Sequence, residues 1–276
     1  MQIVAADINA SFCVTLGDNF YLDGVENVAD MRFTDTFENV FVGNSLQSEH
    51  FFRIIAGNHD HNGNVLAQFE YSEVSPRWSF PDYFYSFIET TNNGAFTVEF
   101  IMLDTIILSG NSDTGQLLGP TTPHHSLLRD KQLDFLAATL AASTADHIIV
   151  SGHYPVYSIC EHGPTDLLIS DVQPLLTQYN VAAYFAGHDH CAQHLEVGAV
   201  AHHGIGSAAF NDASTEHIDD VPVGSLLWHK GEDEVGGFAS VKVNEDSGEL
   251  FVSHHSGNGT LFYTAASIKP FKRALF

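Results

Sequence analysis

"VAAYFAGHDHCAQH", residues 181–194, is the stretch whose reading decides the fold. An apolar run, Val181 to Phe185, ends at Gly187, and two imidazoles, His188 and His190, follow at once on either side of Asp189. Side chains two apart in an extended segment point the same way, so His188 and His190 can converge on one object. A metal ion suits that object, because neutral imidazole is the commonest protein metal ligand. A polar turn after a strand can also contain His-x-His, so the rest of the chain has to discriminate.

Three more apolar runs end in the same way: "FCVTLGDN" (12–19), "FFRIIAGNHD" (51–60) and "HIIVSGHYP" (147–155). Each reads as a buried strand whose C-terminal end feeds a loop. Helical patterns fill the intervals at about 30–40, 64–73, 126–143 and 168–179, and Leu133, Leu136 and Leu140 show the spacing within the third. Strands alternating with helices predict an α/β domain in layers. The second half adds strand-like runs at 95–103, 237–243 and 249–255. With no internal repeat and no linker-like composition, residues 1–276 read as one domain. In open α/β sheets, sites form beyond the carboxyl ends of the strands. Four loops at that edge carry Asp18 and Tyr21; Asn58, His59 and Asp60; His153; and His188 with His190. Any one could be a turn, but four sets of oxygen and imidazole donors at one edge point to metal chemistry.

Composition narrows the partners. The chain has 34 acidic and 10 basic residues, a net charge of −24. That balance excludes nucleic acid or an anionic membrane as partners through general electrostatics. An anionic substrate would need local positive charge, which bound metal ions supply. Cys13, Cys160 and Cys191 are odd in number and widely spaced, and read as buried free thiols. Cys191 has no second cysteine nearby in sequence, which argues against a cysteine-type zinc site. No apolar run reaches the ~18 residues of a membrane span. The opening "MQIVAADINASFC" lacks a basic n-region, so no signal peptide is expected.

The blocks "GDNFY" (17–21), "GNHDH" (57–61), "GHYPV" (152–156) and "GHDH" (187–190), in that order, resemble the metallophosphoesterases. "RWSFP" (77–81) and "EHGPT" (161–165) narrow the resemblance to the tartrate-resistant type of purple acid phosphatase, from about residue 10 to about residue 265. The resemblance implies a sandwich of two mixed β-sheets flanked by helices, with a dinuclear metal centre at one edge. It makes Asp18 the carboxylate shared by both ions. Tyr21 and His190 would join it on a ferric ion; Asn58, His153 and His188 would bind a divalent one (iron, zinc or manganese). Carboxylate and phenolate suit a hard ferric ion, while imidazole with an amide oxygen suits a divalent one. Two ions about 3.5–4 Å apart clamp a phosphate and lower the pKa of a bound water, which becomes the nucleophile. His59 and His162 match outer histidines that hold the phosphate and protonate the leaving alkoxide. Asp60 could orient an imidazole. The adjacent pairs His124-His125, His202-His203 and His254-His255 point to opposite faces if in strands. They read as surface or packing residues, with His203 near a loop that lines the site in the family.

The resemblance has two gaps. The family begins with a strand ending in Asp-x-Gly whose Asp binds the ferric ion; here no Asp-x-Gly precedes "GDNFY", so the expected domain lacks its first strand and that ligand. The two cysteines of the family's disulfide are replaced by Ser109 and Leu167. The implied activity is that of an acid phosphatase with broad tolerance of the organic group: phosphoproteins and small aryl or alkyl phosphates all fit an open pocket. A monomer, secreted or lysosomal, is implied. The alternative is a metal-deficient, non-catalytic remnant with a binding or structural role. A metallo-β-lactamase-type zinc hydrolase is rejected, because its His-x-His-x-Asp-His pattern fails where Cys191, Ala192 and Gln193 follow His190.

Overall fold

The structure, a computed structural model, describes residues 1–112, 122–231 and 236–271. Its central layer is a seven-stranded sheet of β4 (Tyr85–Thr90), β5 (Thr97–Met102), β6 (His147–Gly152), β7 (Ala183–Ala186), β8 (Ala192–Val197), β9 (Val200–Ile205) and β10 (Leu226–His229). The order is β10-β8-β9-β7-β6-β5-β4. Its interior strands β5, β6, β7 and β9 run parallel. A strand covered on both faces has no solvent side to show, and β6 is buried at every residue, with Ile148, Ile149 and Val150 as its apolar centre.

Helices cover one face. In α5 (Pro123–Ala142), Pro123 occupies the first turn and the Thr122 hydroxyl accepts from the His125 N–H, so the start is capped. Its Leu136 and Leu140 pack with Leu168, Val172 and Leu176 against Ile101, Ile148 and Val150 of the sheet. The expected helix at 168–179 is two, α6 (Asp166–Asp171) and α7 (Gln173–Gln178). Pro174, which has no N–H and crowds the preceding turn, separates them. The pattern at 30–40 contains a single wide turn of helix at Phe33–Glu38.

The other face carries a second layer in two pieces. β1 (Cys13–Val14), β2 (Phe52–Arg53) and β3 (Trp78–Ser79) form a parallel sheet; β11 (Gly237–Val243), β12 (Leu250–Ser256) and β13 (Leu261–Thr264) form an antiparallel one. Ile55, Phe100, Met102, Ile149, Phe185, Leu250 and Val252 fill the space between the layers. The expected sandwich is therefore present, with its second layer divided. β1 and β2 are shorter than their apolar runs because each soon turns into a site loop. β1 and β11 are edge strands, and both line a groove of about 880 Å³ that ends at Asp18, Tyr21, His188 and His190. Beyond the parallel sheet, Phe20, Phe33, Phe37, Phe52 and Trp78 form an aromatic cluster. The Trp78 indole N–H donates to Gln68 O at 2.9 Å. Phe20 in that cluster anchors the loop that carries Tyr21.

Of the paired histidines, His124 and His125 lie in α5, and those in strands split between faces. His202 turns toward Tyr157 and Tyr184, while His203 turns inward to Phe185 and His254. Instead of lining the site, His203 sits in the core, its Nδ1 3.0 Å from His254 Nε2 and its ring stacked 4.2 Å from that of His194. Burial pushes His194 down to about 4, and His202 and His254 down to about 3; it holds His203 well below its ordinary value. An unfolded histidine binds its proton near pH ~6.5, so below that pH the unfolded chain holds more protons than the folded one. Stability should therefore be full above about pH 6.5 and fall as pH drops, by about 1 kcal/mol per pH unit for each such histidine. Urea unfolding of the protein should show a lower midpoint at pH 5 than at pH 7, and His203→Phe should narrow the difference. An equal difference in that variant would show that His203 is not one of the groups responsible.

Candidate metal centre

The site begins with backbone that most residues avoid. Gly17 (φ 86°) and Asp18 (φ 53°) are both left-handed, turning the chain sharply as it leaves β1. A Cβ on Gly17 would lie 2.6 Å from His153 Nδ1 and 2.7 Å from the Gly57 nitrogen, so glycine lets three loops meet here. His188 is left-handed as well, at φ 63°.

Asp60 ties two of these loops together. Fully buried in the short helix α2 (Asn58–Asn62), it accepts the backbone N–H groups of Gly57 at 2.8 Å, Asn19 at 3.0 Å and Phe20 at 3.3 Å, and the Gln68 amide at 2.8 Å. These donors use its lone pairs, so Asp60 orients backbone and not, as expected, an imidazole.

The six expected metal ligands come together around Asp18. Its Oδ2 accepts from the Tyr21 hydroxyl at 2.9 Å, and the Tyr21 hydroxyl oxygen lies 3.0 Å from His190 Nε2. Its Oδ1 lies 3.3 Å from His153 Nε2, which is 2.8 Å from Asn58 Oδ1. His153 Nδ1 donates to Leu16 O at 2.7 Å, which fixes the ring and aims Nε2 at those two oxygens. Ligand atoms of Asp18, His153 and His188 all lie within 4.8 Å of one another. Two acceptor oxygens facing one imidazole nitrogen require a positive centre between them, either a proton or a metal cation.

Electrostatics fit the same demand. Burial opposes ionisation of Asp18, but His153, His59 and the Tyr21 hydroxyl together outweigh it and hold the carboxyl well below its usual range. Burial, reinforced by His153 and His162, holds His188 far below the ordinary histidine value, and burial also lowers His190. Both are therefore neutral imidazoles, the form that binds metal.

The two expected outer histidines flank this cluster. His59 lies tilted against Tyr21 with ring centres 4.4 Å apart, and its Nε2 is 4.0 Å from Asp18 Oδ2. The His162 ring stacks on His188 at 4.4 Å. Its backbone N–H donates to Asp189 Oδ1 at 2.7 Å. Asp189 was missed, although as the middle residue of His-x-His it had to point away from its neighbours and toward another element. His61 was missed too: its Nε2 lies 2.7 Å from Asp104 Oδ2, joining α2 to the cap of α4 (Thr105–Ser109). Cys160 and Cys191 are not free thiols but a disulfide with a Cα–Cα distance of 6.6 Å. The loops after β6 and β7 meet at the site edge, and the sequence separation of 31 gives no hint of it. Cys13 is free, as expected.

The comparisons with known proteins agree with this geometry. The family described as calcineurin-like phosphoesterase matches residues 2–192. The tartrate-resistant acid phosphatase type 5 of Homo sapiens is 44% identical over 270 residues, covering 96% of this chain and 80% of the human protein. Purple acid phosphatase 17 of Arabidopsis thaliana is 29% identical over 264 residues, covering 91% of this chain and 73% of the plant protein. Among solved structures, GAP50, titled the anchor in the inner membrane complex of Plasmodium, superposes with a TM-score of 0.82 at 24% identity, covering 99% of this chain and 82% of that one. The yellow lupin purple acid phosphatase PPD1 superposes at 0.62 with 15% identity, covering 95% of this chain and 47% of that one. These two likenesses speak for the fold. With the sequence relatives and the shared donor cluster, they place this chain in the calcineurin-like phosphoesterase family, among the phosphatases of the tartrate-resistant, purple acid type.

Proposed function

We propose that the protein hydrolyses phosphate monoesters at a dinuclear centre holding a ferric and a divalent ion, the latter iron, zinc or manganese. One observation carries this reading: the two oxygens of Asp18 face different sides, Oδ2 the Tyr21 hydroxyl, whose oxygen in turn meets His190, and Oδ1 His153, whose Nε2 in turn meets Asn58. A carboxylate so divided suits two cations, with phenolate on the harder one. When bound, such ions supply Lewis acidity toward phosphate oxygens and a nucleophile derived from water.

The chain's own groups do the rest. His188, with Asp18 and His153, sets the floor on which phosphate oxygens settle. His59 and His162 stand on either side, where their rings can donate to the phosphate and to the departing alkoxide oxygen. Asp60 and Asp189 hold the loops of these two histidines without touching substrate. The organic group has open space, so phosphoproteins and small aryl or alkyl phosphates are all candidate substrates. The chain's charge of −24 repels such dianions at long range, which puts the whole burden of attraction on the metal centre. A secreted or lysosomal location is supported by the Cys160–Cys191 disulfide, a bond that persists in oxidising compartments. A monomer is the assembly this reading expects. Among the described residues no helix is long and apolar enough to cross a membrane.

A second reading is that of a metal-deficient remnant. On that reading the centre binds fewer ions and the protein has a binding or structural role. Metal analysis with turnover of an aryl phosphate separates the two: two ions per chain with turnover supports the phosphatase, and neither supports the remnant.

Colour tests Tyr21. Phenolate bound to ferric iron absorbs visible light, so the iron-loaded protein should be purple and Tyr21→Phe should bleach it while circular dichroism is unchanged. Colour that survives in Tyr21→Phe would remove the phenolate from the ligand set. Kinetics test the flanking histidines. His59→Ala and His162→Ala should keep both metals and slow turnover by roughly 10²–10⁴ on alkyl phosphates, with less effect on nitrophenyl phosphate, whose leaving group needs little protonation. Asp18→Ala should lose both metals and nearly all activity. Loss of metal from His59→Ala would instead make it a ligand.

A further inference from the structure

Beside the centre lies a second set of donors with different chemistry. The Cys160 and Cys191 sulfurs and one ring nitrogen of His229 lie within 4.8 Å of one another. Both cysteines are fully buried. His229 Nε2 is buried without a hydrogen-bond partner, a costly state for a polar nitrogen. Strand pairing puts it there, since His229 on β10 lies opposite Gln193 on β8, two residues past Cys191. The Gln193 amide nitrogen lies 3.3 Å from Cys191 Sγ and 2.6 Å from Ser158 Oγ, so a donor already faces the sulfur.

We propose that Cys160, Cys191 and His229 form a redox-gated site for a zinc-class divalent ion, closed while the sulfurs are joined and open once they are reduced. Two thiolates and an imidazole are the soft and borderline donors zinc prefers, and three protein ligands leave a fourth position for water. With Zn–S bonds of about 2.3 Å, tetrahedral coordination sets the sulfurs about 3.8 Å apart. From Cα atoms 6.6 Å apart, that separation asks for rotation of the two cysteine side chains. The Gln193 amide would donate to a thiolate as the supporting contacts of metal sites commonly do. Burial lowers the proton affinity of His229, leaving the neutral ring a ligand requires. The opening step is ordinary exchange: a dithiol delivers two electrons and two protons to the S–S bond, leaving two protein thiols and becoming a disulfide itself. The incoming ion then displaces the two thiol protons. This site shares no ligand with the dinuclear centre, and its sulfur donors make it separately visible.

Cobalt(II) is the probe. The full chain is reduced anaerobically with a dithiol, freed of reductant by gel filtration, and titrated with cobalt beside the oxidised protein. The reduced protein should bind one ion more per chain and show an intense near-ultraviolet thiolate-to-cobalt band, which the oxidised protein lacks. Cys160→Ala/Cys191→Ala, which retains Cys13, should lose the band. His229→Ala, which keeps both sulfurs and can still form the disulfide, should bind the extra ion at least about ten-fold more weakly, the scale of losing even a supporting contact. No band in reduced protein, a band that persists in the double variant, or equal affinity in His229→Ala would overturn the proposal. So would loss of the near-ultraviolet circular dichroism on reduction, because the site requires the folded arrangement of β8 and β10.

Discussion

One buried carboxylate organises this molecule's working edge. Asp18 sits where three loops converge, on left-handed backbone, and its charge is met from both sides by histidine and tyrosine. Everything near it serves to make that position tolerable. Gly17 keeps the approach open, and Asp60 gathers the backbone donors of "GDN" and "GNH". Strain of this kind, of order 1–3 kcal/mol per residue, persists only where the surroundings over-determine it. The parallel strands behind the loops, buried on both faces, supply that rigidity.

Much of this was legible because parallel strands announce themselves. A run such as "HIIVSG" carries consecutive apolar residues at its centre and must turn at the sheet edge, so the four donor loops could be placed together from sequence. The six expected ligands and the two outer histidines came from the resemblance of those loops to the purple acid phosphatases, and the fold brings them together around Asp18. What was not legible depended on who meets whom across distant segments. Nothing in 31 residues of separation says that Cys160 meets Cys191, and nothing in "GHDH" says that Asp189 reaches the His162 backbone. The role of Asp60 was misread for a related reason: its partners are backbone N–H groups, which leave no mark on the sequence. The split helix around Pro174 could have been read and was not.

The histidine content illustrates how chemistry and packing divide one residue type. His153, His188 and His190 are held where their ring nitrogens can meet a cation, whereas His194, His203 and His254 pack ring against ring in a core that offers none. The difference is the presence of oxygens. Three of the first group's contacts are to carboxylate, phenol and amide, while those of the second are to rings and one tyrosine hydroxyl.

The hydrogen bonds that assemble the donor cluster also determine how it fills. The Tyr21 hydroxyl proton lies between Tyr21 and Asp18, and His153 Nε2 faces two acceptor oxygens. Those protons occupy the places that cations would take, so each ion that enters must expel hydrogen ions into solvent. Loading is then an exchange of one positive charge for another, and its equilibrium moves with acidity even if no ligand changes place. A phosphatase working in an acid compartment would meet strong proton competition for its own metals. Kinetic retention of ions loaded earlier, at higher pH, would then matter more than their affinity at the place of work.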